Sequence, residues 1–365
     1  MIQPVLVVLQ FLMISVFYMP EEQTTKYRVL LTAVPMLIAI FVGLRHKINT
    51  FIVTYVFLFL FLGLEYLMFP ANGTYIFTDS FRFLVPIIVP SILCLSCLKT
   101  IKIVEDVLYF YSWIIVVMVL LFVIRFLQGR VEFQSYNMGL SYALLLPMVT
   151  LYGKGSILSY IGCVFCFFSI LVFGSRGALV AGALYILYDI ISKNIRNLIY
   201  IIVASSFFVS LAMAFDKYLD SLGISSRTLN FIIGGEMIAA EGRDVIYQKA
   251  ISLIGDNWLT GLGIYGDRVN MEDEYCHNIV LEFLLDFGVL IGMLLLLVLF
   301  FTLIRLYFKL NSINRNIFIK YVVVLLIPFF ASSSYLIDCN WGLLWGIVAL
   351  LYHEAGQSRV NLSRV

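Results

Sequence analysis

Charged side chains are scarce in this chain of 365 residues, where they make up 13% of the sequence against 62% for hydrophobic residues. A soluble domain needs about twice that charged fraction to cover its surface, so the composition excludes an ordinary soluble enzyme. The net charge is only +2, which gives no electrostatic basis for a nucleic-acid partner. The chain does have apolar blocks of about twenty residues, the length that a helix needs to cross roughly 30 Å of hydrocarbon.

These apolar blocks predict an all-α polytopic membrane protein with about twelve transmembrane helices. The first block lacks a basic leading segment and a small-residue cleavage site, so we interpret it as a retained span and not as a signal peptide. The predicted spans lie near residues 2–20, 28–44, 48–69, 81–98, 103–127, 138–153, 156–173, 177–191, 196–214, 278–308, 317–337 and 340–353.

The distribution of lysine and arginine predicts the orientation, because cytoplasmic connections are enriched in both residues. The connections expected in the cytoplasm hold Arg45, Lys47, Lys99, Lys102, Lys154, Lys193, Arg196, Arg305, Lys309, Arg315 and Lys320, and the tail adds Arg359 and Arg364. Both termini are therefore expected in the cytoplasm. The chain divides into helices one to nine (1–214), a long, net acidic external loop (215–276), and the last three helices with a cytoplasmic tail (277–365).

Ionisable residues within membrane spans are expensive, and they usually face a partner or an aqueous cavity. In this chain they fall in the outer half of the predicted bundle, at Glu65, Arg82, Arg125, Arg176, Glu282, Asp286 and Asp338. A transporter is expected to place such groups nearer the midplane. The pattern favours a polar cavity open to the exterior, with separate snorkelling of each side chain to the interface as the alternative.

Two arginines are candidates for phosphate recognition, for which a planar, permanently charged guanidinium is well suited. Arg176 follows Gly174-Ser175 in an expected external turn, although an ordinary interfacial arginine would look the same. Arg243 begins a loop segment with apolar residues at helical spacing, namely Ile246, Ala250, Leu253 and Ile254. This spacing predicts an amphipathic helix at the outer mouth of the bundle, with Arg243 and Tyr247 on one face. Arg227 is a weaker candidate for the same role.

His277, followed by Asn278, enters the tenth predicted span and is the one histidine expected on the outer face. A histidine at the membrane boundary titrates near neutrality and can act as a general base. Helical spacing suggests that Glu282 or Asp286, one or two turns below, orients the imidazole or stabilises its protonated form. The alternative is an ordinary boundary histidine without a chemical role.

The order of these motifs resembles the O-antigen polymerase and ligase superfamily over roughly residues 170–295. The motifs are Ser175-Arg176-Gly177-Ala178, Gly242-Arg243 in the long loop, Asn257-x3-Gly261-x-Gly263, and His277-Asn278-x3-Glu282-x5-Gly288-x3-Gly292. The loop departs from the family pattern at Ile264 and at the short Gly266-Asp267 turn.

The resemblance implies a GT-C-type glycosyltransferase of the bacterial inner membrane, acting at the periplasmic face on undecaprenyl-pyrophosphate-linked glycans. It assigns activation of the acceptor hydroxyl to His277 and binding of the pyrophosphate to Arg176 and Arg243. Arg227, Tyr247, Asn278, Glu282 and Arg82 are the other residues expected to bind substrate. Membrane lipid and a protein that regulates chain length are the further partners expected, and neither a metal nor a cofactor is expected.

Three activities stay open. The first is polymerisation of lipid-linked repeat units into an O-antigen or capsule by inverting transfer, which is favoured because the chain is short and has no added soluble domain. The second is ligation of finished glycan from undecaprenyl pyrophosphate to lipid A core. The third is a flippase or another transporter, which would be expected to carry deep cationic residues and to lack the long loop.

Several tempting motifs are better explained by other roles. Gly261-x-Gly263-x-x-Gly266 matches the dinucleotide fingerprint, but it has no strand–helix–strand context. The pairs Cys94/Cys97 and Cys163/Cys166 have zinc-like spacing, yet they lie within predicted lipid spans. The acidic run Glu272-Asp273-Glu274 could bind a divalent cation, although a solvated charge run is the preferred interpretation.

Overall fold

A computed structural model of the chain describes residues 21–128, 137–193 and 243–362, together with the isolated positions 9 and 13. Every regular element in these ranges is helical. The elements are α1 Glu21–Met68, a 3₁₀ turn Pro70–Asn72, α2 Gly73–Asp79, a π-helical run Ser80–Ile88, α3 Val89–Ser96, α4 Ile101–Leu127, α5 Met138–Lys154, α6 Ile157–Phe173, α7 Arg176–Lys193, α8 Arg243–Asp256, α9 Gly266–Asn270, α10 Ile279–Lys309, α11 Ser312–Leu326, a 3₁₀ turn Ile327–Phe330 and α12 Cys339–Leu362. The predicted span 196–214, nearly all of the span 2–20, and Arg227 lie outside the described residues.

Within the described ranges, five helical stretches are long and apolar enough to cross a bilayer. They are Lys47–Met68, Pro70–Ser96, Ile101–Phe126, Ile279–Lys309 and Ser312–Phe330. Their length and composition fit a multi-pass membrane protein. The total of about twelve spans and the orientation stay predictions.

Several predicted boundaries agree with the helices. The merged helix α1 has non-helical dihedrals at Lys47 (φ −143°), which lies between the predicted spans 28–44 and 48–69. Helices α5, α6 and α7 coincide with three short predicted spans. They are separated by Gly155 and Gly174, whose left-handed backbone ends α5 and α6. Ser156 caps the start of α6, as expected for a hydroxyl side chain at that position.

One predicted span is too long at its C-terminal end. The interpretation of 317–337 as a single helix is wrong, because regular helix stops at Leu326 and the 3₁₀ turn stops at Phe330. Pro328 lacks an amide hydrogen and cannot continue the helical ladder. Its carbonyl instead accepts the amides of Ala331, Ser332 and Ser333. Residues 331–338 therefore form an irregular segment that presents polar groups.

The described chain folds into two compact units. The first comprises Met1–Pro35 and Lys102–Ile238, and the second comprises Met36–Ile101 and Ala239–Val365. In the first unit α5 packs against both α6 and α7, and its side chains from Leu140 to Leu151 are nearly all buried. In the second unit α12 packs against α3, α10 and α11, while α8 and α9 pack against α10.

The long helix α10 is broken at Gly288, whose dihedrals (φ 73°, ψ 171°) are accessible mainly to glycine. A break at membrane depth exposes backbone groups that must find partners within the protein. The segment 257–263 supplies them through three backbone bonds: Leu262 N to Leu285 O (2.7 Å), Gly263 N to Asp286 O (3.0 Å) and Val289 N to Trp258 O (2.7 Å).

Glycine is required on both sides of this contact. A Cβ on Gly261 would lie 2.5 Å from Asp286 O and from Gly288 N, and a Cβ on Gly288 would lie 2.6 Å from Leu259 O. Gly261 also has a φ of +68°. The glycine motif that resembles a dinucleotide fingerprint therefore has a structural explanation, because it lets a loop lie directly against a broken helix.

Candidate functional site

His277 lies in the second unit, one residue before the N-cap of α10, and is half-buried. The side-chain oxygen Oδ1 of Asn278 accepts hydrogen bonds from the amides of Val280 (3.0 Å) and Leu281 (3.4 Å), so Asn278 caps the helix. The backbone of His277 is left-handed (φ 53°). That conformation is uncommon for a residue other than glycine, and such residues concentrate at functional sites.

The contacts of His277 fix its tautomer. Its Nδ1 lies 3.5 Å from the carbonyl oxygen of Ser332. A carbonyl only accepts, so we assign the proton to Nδ1, and this leaves the lone pair on Nε2. Burial lowers the pKa of His277, the bond to Ser332 acts in the opposite sense, and the Arg243 charge lowers it further, for a net value below the ordinary one. The imidazole is therefore neutral at neutral pH and has a basic nitrogen available.

Arg243 is the first residue of α8 and is half-buried. The predicted apolar face of this helix is the face that packs: Ala250 is in a buried cluster with Met271, Cys276 and Leu285, and Ile246, Leu253 and Ile254 pack against it. This packing holds the start of α8 where the Arg243 charge acts on both His277 and Tyr275. Tyr247 lies one turn further along α8 and is also half-buried.

A buried guanidinium, that of Arg268, lies close to the histidine. It forms an ion pair with Asp267 (2.9 Å) and donates to Ser334 Oγ (3.1 Å). Glu282 at 4.0 Å and Asp79 at 3.9 Å complete its acidic surroundings. Burial alone would lower the pKa of Arg268, but the surrounding carboxylates outweigh it and raise that pKa.

The carboxylates of α10 face this guanidinium and the irregular segment 331–338. Glu282 accepts from the Ser334 hydroxyl and from the Tyr335 amide (3.4 Å), and Asp286 accepts from the Tyr335 hydroxyl (2.5 Å). Burial and the Asp286 carboxylate raise the pKa of Tyr335 well above its ordinary value, so its hydroxyl is a permanent donor. Within the described part of the chain, Asp286 Oδ1 is buried without a hydrogen-bond partner.

We expect Arg268→Ala to destabilise the protein strongly. It would leave the buried carboxylates of Asp267 and Glu282 without their cation, and breaking a buried pair costs about 3–5 kcal/mol. The measurement is the thermal transition of the purified protein in detergent, followed by size-exclusion chromatography. Lys249→Ala is the matched control, because the Lys249–Glu272 pair is 4.0 Å long and largely exposed. Equal transition temperatures for the two variants would contradict the prediction.

The structure brings only some of the predicted site residues together. His277 and Arg243 interact electrostatically, and Asn278 adjoins His277 but caps α10. Arg176 begins α7 in the first unit. Arg82 is exposed, with its guanidinium carbon 5.1 Å from the ring of its neighbour Phe83.

The interpretation of Glu282 and Asp286 as partners of the imidazole requires correction. Their hydrogen bonds go to Ser334 and Tyr335, while the imidazole contacts the Ser332 carbonyl. Helical spacing failed because the helix begins at Ile279 and His277 has a left-handed backbone outside it. Glu282 is fully buried, which also makes direct contact with a substrate difficult.

Three other acidic residues accept hydrogen bonds from nearby segments. Glu65 accepts from the amide of Ile264 (3.1 Å), and Asp338 accepts from the amide of Asn340 (2.8 Å) at the start of α12. In the acidic run, Asp273 accepts from the Tyr75 hydroxyl. These carboxylates therefore cap or anchor a local segment.

Four residues near His277 were missed in the sequence analysis: Tyr275, Ser332 and Ser334, and the buried cation Arg268. Arg268 lies in the segment predicted as a long external loop, where a solvated side chain is expected. The available signal was its position next to Asp267 in a glycine-rich turn between apolar residues, which is weak. Ser332 and Ser334 were placed inside a predicted span.

Comparison with curated proteins and with solved structures gives no match for this chain. Residues 161–297 match the family model described as O-antigen ligase. The matched range contains Arg176, Arg243, His277 and the break in α10. This match supports the resemblance of that part of the chain to the O-antigen polymerase and ligase superfamily.

Proposed function

We propose that this protein transfers a glycan from a polyprenyl diphosphate carrier to a hydroxyl group of an acceptor sugar. The observation that carries the proposal is the neutral, half-buried imidazole of His277, with Nδ1 bonded to a carbonyl and the Arg243 cation acting on it, within a domain that matches the O-antigen ligase model. A base beside a cation is what the reaction needs.

In the proposed reaction Nε2 of His277 removes the proton from the acceptor hydroxyl as its oxygen attacks the anomeric carbon of the donor. The bond between that carbon and the phosphate oxygen breaks, and the carrier diphosphate leaves with the electron pair. Arg243 stabilises the charge that develops on the diphosphate. One direct displacement inverts the anomeric centre. Arg176 is a second candidate for the diphosphate from the sequence alone.

The identity of the acceptor sugar distinguishes two candidate activities, polymerase and ligase. The sequence argument favours a second lipid-linked repeat unit, which would make the protein a polymerase at the periplasmic face of a bacterial inner membrane. The description of the matching family favours the second candidate, a ligase that uses lipid A core.

The test uses purified protein in lipid nanodiscs with synthetic lipid-diphosphate-linked repeat units. A ladder of polymer from these units alone would support the polymerase. Product that forms only when lipid A core is added would support the ligase. Transport of the units without any new glycosidic bond would reject both candidates. A chelator should leave turnover unchanged, because the proposed residues need no metal.

The pH dependence of turnover is expected to follow the protonation of the His277 imidazole. Only the neutral imidazole can accept a proton, so activity should fall as the pH drops through the pKa of His277. Because that pKa lies below its ordinary value of about 6.5, activity should exceed half of its maximum at pH 6.5. Arg243→Gln removes a cation that lowers the pKa, so the acid limb should move to higher pH.

The control for this shift is Lys249→Gln, which removes a cation from the same helix at an exposed position. It should leave the acid limb where it is, and Arg243→Lys should retain most of the wild-type profile. The measurement is kcat/KM as a function of pH at constant ionic strength. An acid limb centred above pH 6.5 in the wild type would argue against His277 as the base.

A further inference from the structure

Tyr275 contacts both the imidazole of His277 and the buried guanidinium of Arg268. Its ring centroid is 4.1 Å from that of the His277 imidazole. The same ring centroid is 5.5 Å from the guanidinium carbon of Arg268. Its hydroxyl donates to the carbonyl oxygen of Ser332 at 3.1 Å. Tyr275 thus contacts the imidazole directly and also binds the Ser332 carbonyl, which is the hydrogen-bond acceptor of that imidazole.

The Ser332 carbonyl is a shared acceptor. It has two lone pairs, and these receive the Tyr275 hydroxyl at 3.1 Å and Nδ1 of His277 at 3.5 Å. The carbonyl itself is fixed, because Ser332 is buried and its amide donates to Pro328 O at 2.8 Å. A shift of the tyrosine hydroxyl would therefore change the bond that sets the histidine tautomer.

The Tyr275 ring packs against the guanidinium of Arg268. Arg268 is held by Asp267 and Ser334 and is itself buried, so it offers the ring a rigid cationic surface. The same guanidinium lies 4.8 Å from the ring of Tyr265, which is fully buried. A series of contacts, from His277 to Tyr275 and then to Arg268, thus connects the imidazole to the core of the second unit.

We propose that Tyr275 is a positioning residue that fixes the orientation of the His277 imidazole and, by sharing the Ser332 carbonyl, tunes the basicity of that imidazole. The ring limits rotation of the imidazole, and the hydroxyl shares its acceptor. This inference rests on the proposed function for its catalytic consequence, but its effect on the imidazole can be measured without any substrate.

Tyr275 is not itself the base. Burial raises its pKa to about 12, and the carboxylates of Asp338 and Glu282 act in the same direction against Arg268 and Arg243. Its hydroxyl therefore stays protonated and donates over the whole range in which an enzyme of this kind works. The role that remains for it is to hold the carbonyl and the imidazole in place.

The first measurement is the rate at which diethyl pyrocarbonate modifies His277 as a function of pH, read from the His277 peptide by mass spectrometry. Tyr275→Phe keeps the ring and removes the hydroxyl that shares the Ser332 carbonyl with Nδ1. The bond from Nδ1 to that carbonyl should become stronger, which favours the imidazolium, so the midpoint of the profile should rise. Tyr275→Leu removes the ring, so the imidazole should become more hydrated and react several-fold faster.

The second measurement is turnover. Small misplacements of a reacting group cost up to about 100-fold, so Tyr275→Leu should lower kcat at least about 10-fold with little change in KM. Tyr275→Phe should lower kcat less. Tyr352→Leu is the control, because Tyr352 is exposed on α12 and its hydroxyl accepts from Lys309 (2.8 Å).

The outcomes separate this inference from the proposed function. Unchanged modification profiles in Tyr275→Phe and Tyr275→Leu would overturn the positioning role. A shifted profile together with an active His277→Ala variant would keep the positioning role and reject His277 as the base. If Tyr275→Leu does not fold, the profile of Tyr275→Phe decides, because that change removes only one oxygen atom.

Discussion

Replacing His277 by alanine is expected to reduce glycan transfer by about 100- to 10,000-fold, the contribution that a positioned general base makes to a rate. The loss should appear in kcat, since the imidazole acts on the proton of the acceptor. Donor binding should change little, because Arg243 is retained. The measurement is the initial rate of product formation from lipid-linked units at saturating donor.

Two further changes make this experiment specific. His277→Asn tests whether the loss comes from the backbone, because asparagine tolerates the left-handed conformation of this position but cannot act as a base. It should fold as the wild type does and be as inactive as His277→Ala. His353→Ala is the control at an exposed histidine on α12. Turnover of His277→Asn within a few-fold of the wild type would mean that another group removes the proton.

The second large effect is expected at the broken helix. In Gly261→Ala the new Cβ would meet Asp286 O and Gly288 N at 2.5 Å, and the residue would have to keep a φ of +68°. The left-handed conformation costs roughly 1–2 kcal/mol and overpacking against backbone roughly 1–3 kcal/mol. We expect a large drop in thermal stability in detergent and little folded protein.

Gly255→Ala provides the comparison for this effect. Gly255 lies in α8, and a Cβ there would meet no atom within 4 Å. Alanine in a helix is favoured over glycine by about 0.5–1 kcal/mol, so this variant should be as stable as the wild type or slightly more stable. If both variants had the same stability, the close approach of segment 257–263 to α10 would be wrong.

The sequence predicts this fold well where a single local pattern decides the outcome. Apolar spacing in α8 identifies the face that packs, and the polar stretch around Lys47 coincides with the kink in α1. The pattern fails where partners come from distant segments. Arg268 is buried by groups from three separate segments, at Asp79, Glu282 and Ser334, and no local spacing encodes that.

A hydropathy pattern also does not predict where the backbone leaves the helix. The predicted span 317–337 runs through residues 331–337, yet Pro328 cannot continue the helix and its carbonyl binds the amides that follow. The acceptor of the His277 imidazole, Ser332, lies in that stretch. The family match ends at residue 297, so this part of the candidate site lies beyond it and only the structure reveals it.

The break at Gly288 has a consequence for how the chain enters the membrane. The part of α10 after the break has about 20 residues, which span roughly 30 Å and can cross the bilayer alone. The part before the break, which carries Glu282 and Asp286, can stay outside the hydrocarbon during insertion. Residues 257–263 are synthesised before residues 285–289, so the amides of Leu262 and Gly263 exist when the carbonyls of the break emerge. We therefore expect the bend in α10 to form with its backbone partners already synthesised.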